Sequence, residues 1–190
     1  MNQKGFSLVE LIGMVVVLGV LMIITVPNIA GILKNNKENI VTEDINKIVS
    51  NAKNKFNTKQ AKYPEYEDQC VVMTLTYVDS NNDLKSGLNG GVYNQGESFV
   101  VVRKEKERTG SYTYRYYVRL VEEIERSTGI QRYEVPLTEH NELSNNSKNY
   151  LTNQAPKVEA DMSSISEGEA INALQSMGLG CSSVNQIYTS

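Results

Sequence analysis

The sequence predicts an α+β chain in which a long, kinked N-terminal helix lies against an antiparallel sheet, with a short helix near the C-terminus. Three observations carry the prediction. Residues 11–33 include no charged side chain, whereas the rest is rich in Asn, Lys, Glu, Ser and Tyr. Beyond that run, apolar residues recur at spacings of three and four, as on one face of a helix. Further on, Val, Thr and Tyr gather in runs bounded by Gly, Asn and Ser, the pattern of strands and turns.

A length of 190 residues suits one head domain with a modest core, and 22% charged residues with a net charge of -3 give no pull toward nucleic acid. No specific nucleic-acid partner is expected. Cys70 and Cys181 lie too far apart for a CxxC redox pair or a zinc cluster. In an exported head they are a candidate disulfide; two buried free thiols are the alternative.

As a helix, residues 11–33 would extend about 34 Å at about 1.5 Å per residue, enough for a bilayer core of about 30 Å. A single membrane span is therefore predicted. Lys4 precedes the run and Lys34 and Lys37 follow it, so flanking charge does not orient it. A secretory signal peptide would have a shorter apolar core and a small-x-small cleavage site, and neither is present. A plain anchor explains the length and the flanks. It leaves out Glu10, an acid at the start of the apolar run that would cost on the order of 3 kcal/mol inside a bilayer.

The segment Lys4-Gly5-Phe6-Ser7-Leu8-Val9-Glu10-Leu11 resembles the class III signal of type IV pilins and pseudopilins: a short basic leader, Gly before the cut, Phe after it, and Glu four residues later. The likeness covers roughly residues 1–33. It implies a type IV pilin-like fold, with a leader of residues 1–5, an apolar membrane and assembly helix of residues 6–33, and an extracellular head of residues 34–190. It also implies that a prepilin peptidase cleaves between Gly5 and Phe6 and methylates the new amine of Phe6. Assembly would use Phe6 and Glu10. Gly19 and Pro27 correspond to the places between which filament subunits of the family lose helix, and Pro27 lacks an N–H and crowds the preceding turn, so a kink or melted stretch is expected there. The partners implied are other pilin subunits, the peptidase, the assembly platform with its ATPase, and the membrane before assembly. The implied location is the cytoplasmic membrane as a single-pass precursor with its head outside, and then the surface pilus.

In the head, Val41, Ile45, Ile48, Ala52 and Phe56 form the apolar stripe, so the helix is expected to continue through residues 34–62 and to stop before Tyr63-Pro64. Strands are expected at 69–78, 98–104 and 112–124, with a shorter one at 130–135, joined as an antiparallel meander through turns at Thr109-Gly110 and Ser127-Thr128-Gly129. Residues 141–164 read as a surface loop or extended edge. Ser166 and Glu169 make a capping box ahead of Ala170, Ile171, Leu174 and Met177, which predicts a short helix ending at Gly178.

Enzyme chemistry finds no support, because the sole histidine, His140, lies in a polar stretch with no recognisable nucleophile and reads as a solvated loop residue. No cofactor is expected. Asp79, Asn81 and Asp83 alternate as calcium ligands would, but Leu84 stands where the loop needs Gly and Gly90 where it needs Glu, so a strand-ending turn is the better reading and no metal is assigned. Tyr112, Tyr114 and Tyr116 share one strand face, read as core against a helix rather than as a ligand platform. Arg115, Tyr117 and Arg119 fall on the other. Arg103, Lys104, Lys106, Arg108, Arg115 and Arg119 have Glu105, Glu107, Glu122, Glu123 and Glu125 interleaved or close, so a mixed solvated face is expected rather than a basic patch. The function expected is a structural subunit of a type IV pilus supporting adhesion, motility or aggregation. The alternative is a pseudopilin of a DNA-uptake or secretion machine.

Overall fold

The computed structural model describes residues 8–80, 84, 87, 89–141 and 160–189, and for residues 18–39 the helical backbone alone. The chain divides into two compact units, residues 1–39 and residues 40–190. Helix α1, Leu8–Asn57, runs 50 residues from the first unit into the second. Its helical backbone passes through both Gly19 and Pro27.

In the second unit the strands are β1 (Gln69–Thr74), β2 (Val92–Tyr93), β3 (Phe99–Lys106), β4 (Tyr112–Arg126), β5 (Gly129–Glu139) and β6 (Ser183–Tyr188). A four-residue helix α2, Leu75–Val78, follows β1, and helix α3, Glu167–Ser176, precedes β6. The sheet runs β2-β4-β3-β1-β6, with β5 also on β4. Pairing is antiparallel except between β1 and β6, which run parallel.

Alternation along the strands feeds two cores. From β1 and β3, Val71, Met73, Val100 and Val102 face the α1 stripe of Val41, Ile45, Ile48, Ala52 and Phe56. Their neighbours Cys70, Val72, Phe99 and Val101 face Ala170 and Leu174 of α3, together with Met162 and Leu179. The sheet is thus covered on both faces, which is why β1 reads as an unbroken buried run rather than as alternating residues.

The type IV pilin-like fold class expected from the sequence is corrected by this arrangement. The sheet is mixed, not an antiparallel meander, because the chain after α3 returns to lie parallel beside β1 and finishes on a strand. The helix ends at Asn57 rather than near residue 62: Lys59 takes a positive φ of 59°, a left-handed residue that ends the helical path. The strand expected over 69–78 stops at Thr74, where α2 takes over and buries Leu75 and Val78.

The predicted membrane span is corrected as well. Among the described residues no helix is long and apolar enough to cross a membrane. The single-pass membrane precursor expected from the sequence is therefore not supported.

Candidate functional site

Of the residues singled out by the signal-like motif, Glu10 lies in the first turn of α1, while Gly5 and Phe6 lie outside the described residues. Around Glu10 the helix is apolar and exposed. Leu8 and Val9 are 75% and 77% accessible, and Leu11, Ile12, Met14, Val15, Val16 and Val17 are each more than half accessible. An acid in the first turn suits the partial positive charge of a helix N-terminus.

Cys70 and Cys181 form a disulfide, with their Cα atoms 5.8 Å apart. Cys70 is the second residue of β1, and Cys181 sits just ahead of β6, so the bond staples the parallel pair where the long connection returns. The Ser182 N–H donates to Asp68 O at 2.8 Å beside it.

The tyrosines of β4 divide along the strand. Tyr116 is buried in the core beneath α1, as expected, with Lys53 Nζ 5.0 Å over its ring. Tyr114 stacks on Tyr63 at 4.3 Å, and Tyr63 in turn on Phe56 at 3.9 Å, closing the end of the helix against the sheet. Tyr112 is half exposed beneath Lys104.

The opposite face of β4 is mixed in charge, as the sequence suggests, but its charges are paired, and at Arg119 they are buried. Arg103 binds Asp68 at 2.6 Å and reaches Glu105 at 3.4 Å, while Arg115 joins Glu105 at 2.8 Å to Glu139 at 2.6 Å. Tyr117 donates to Glu105 at 2.7 Å, and its phenol is pushed up by burial and by that carboxylate. Beyond this ladder, Arg119 is fully buried. Its Nε donates to Glu134 at 2.6 Å and its Nη1 to the Glu97 carbonyl at 3.0 Å, while Arg132 pairs with Glu97 and Glu123. Interleaved charge in the sequence was the available sign of these pairs; their burial was not visible there.

His140 is also docked rather than freely solvated, with Nε2 2.8 Å from Asn46 Oδ1 on α1. Burial and then the nearby Lys53 push its pKa down. Asp79 accepts from the Leu84 N–H at 3.1 Å; Asn81 and Asp83, its companions in the calcium-like spacing, lie outside the described residues. No group of acids, His and Cys suited to a metal occurs among the described residues. A polar recess between α1 and α2 is lined by Asn51, Asn54, Lys55, Gln60, Val78, Asp79 and Ser80.

No family model, no curated protein and no solved structure matches the chain.

Proposed function

We propose that the chain is a structural subunit of a type IV pilus filament, joined to its neighbours through the N-terminal helix. One observation carries the reading: residues 8–17 present apolar side chains all round the helix, each more than half accessible, with Glu10 set among them. A helix apolar on every side needs covering, and packing against the same helix of other subunits covers it. The reading rests on the Lys4–Leu11 motif and on this stretch. The fold of the head, which departs from expectation, does not enter it.

The partners are other pilin subunits, a prepilin peptidase acting at Gly5-Phe6, and an assembly platform with its ATPase. Within a bundle of apolar helices a carboxylate needs a cation, because desolvating it alone costs several kcal/mol. The methylated amine of a neighbour's Phe6 supplies one, and that amine exists only after the leader is removed. Cleavage is thereby made a condition of polymerisation.

The test is a strain whose sole copy carries Glu10→Leu. Cleavage and N-methylation at Phe6 should persist, read by mass analysis of the N-terminal peptide, while the chain disappears from sheared filaments. Wild-type amounts in filaments would overturn the charge pairing. Absence of the unaltered chain from all filaments would overturn the function itself.

A further inference from the structure

We propose that Asn89-Gly90 is a latent deamidation site that the fold holds shut, and that its reaction stops the loop from closing again. The dipeptide is chemically predisposed, since Gly90 lacks the Cβ that would obstruct approach of its peptide nitrogen to the Asn89 side chain. In the reaction the Gly90 nitrogen attacks Asn89 Cγ. The new N–Cγ bond forms, the Cγ–Nδ2 bond breaks, and ammonia leaves with the former amide proton. Water then opens the cyclic imide at either carbonyl, leaving aspartate or isoaspartate at position 89.

The folded loop opposes each step. The nucleophile is committed, because the Gly90 N–H donates to Gly87 O at 3.1 Å. The leaving group is held as well, Asn89 Nδ2 donating to Glu122 Oε2 at 3.0 Å. On either side, the N–H groups of Asn89 and Gly91 both donate to Glu122 Oε1 at 2.8 Å. Glu122 sits on β4, 4% exposed, and the loop is seated directly on it: a Cβ on Gly87 would fall 2.4 Å from its Cδ. Charge-assisted bonds from three donors to one buried carboxylate make this a strong clamp.

The product is incompatible with the same clamp. Deamidation replaces the Nδ2 donor with a carboxylate oxygen facing Glu122 Oε2, and two like charges at that separation repel. An isoaspartyl linkage also lengthens the backbone between the two clamped N–H groups. Opening of the loop is therefore recorded permanently.

The experiment holds the folded, oxidised protein and the reduced, denatured chain in the same mildly alkaline buffer and follows Asn89 by peptide mapping for a gain of one mass unit and for isoaspartate. The folded protein should react about a hundredfold more slowly, which is about 2.8 kcal/mol of opening free energy at about 1.4 kcal/mol per decade. Equal rates would overturn the proposal. Glu122→Gln, provided its melting stays cooperative, should raise the folded rate at least about tenfold, since a neutral acceptor holds the donors less tightly. No acceleration would overturn the role of Glu122. If that variant does not fold, Asn89→Asp decides the second half: hydrogen exchange at the Gly91 amide should quicken about tenfold or more over the wild type through local opening, and unchanged exchange would overturn the one-way loop.

Discussion

The Tyr93 hydroxyl donates to Asp44 Oδ2 at 2.8 Å, a buried bond that ties β2 to helix α1. Burial raises the Asp44 pKa above its ordinary 3.8, and the hydrogen bond from Tyr93 opposes the rise. Tyr93→Phe leaves a buried carboxylate without this donor and should cost about 1.5 to 3 kcal/mol in denaturant unfolding. An unchanged midpoint would show that the bond does not hold β2 on the helix.

Asp44 also sets a pH dependence. Because its folded pKa is raised, the native state keeps the proton over a range where the unfolded chain has lost it, so this residue's contribution is fully present below pH 3.8 and declines as pH rises through the folded value. Asp44→Asn retains an acceptor for Tyr93 and cannot titrate. The variant should gain stability relative to the wild type as pH rises from 3.8 toward neutrality; a constant difference across that range would contradict the assignment.

His140 acts with the opposite sense. Its folded pKa lies below the ordinary 6.5, so the unfolded chain binds the proton first, and the stability involved is lost as pH falls through 6.5 toward the folded value. In His140→Gln this acid-side loss should shrink, measured as melting temperature against pH. The groups facing the ring are Asn46, Lys53, Glu139 and Asn141. If the loss persists undiminished, another titrating group is responsible.

Reduction of Cys70–Cys181 opens a link across 111 residues of sequence. For a loop of about a hundred residues the chain-entropy treatment gives up to about 4.7 kcal/mol. Melting should drop steeply on reduction and equally in Cys181→Ser. A free-thiol titration of the unreduced, unfolded chain should find none, and two reactive thiols would refute the pairing.

Arg119 is the costliest charge to disturb, being fully buried between Glu134 and Glu97. Arg119→Ala strips the cation from Glu134 and leaves Glu97 to Arg132 alone, and should cost about 3 to 5 kcal/mol. A loss below about 1 kcal/mol in chemical denaturation, the range of solvated pairs, would mean that the pairing is screened by water.

Much of the local structure was legible in the residues themselves, because it depends on neighbours in sequence. The stripe from Val41 to Phe56 demanded an amphipathic helix, and Ser166 with Glu169 formed the capping box ahead of α3. Strands β3, β4 and β5 announced themselves by β-branched and aromatic runs. What the sequence could not fix is which strand lies beside which. A six-residue strand near the C-terminus becomes β6 only because β1 presents a free edge, and its parallel direction follows from where α3 packs and Cys181 meets Cys70. Nor does charge order reveal burial: Arg119 looks like any strand arginine until Glu134 and Glu97 converge on it from different elements. Local propensity and periodicity are set within a few residues, whereas sheet order, edge pairing and the desolvation of a charge depend on groups brought together from distant parts of the chain, and only the folded structure settles those.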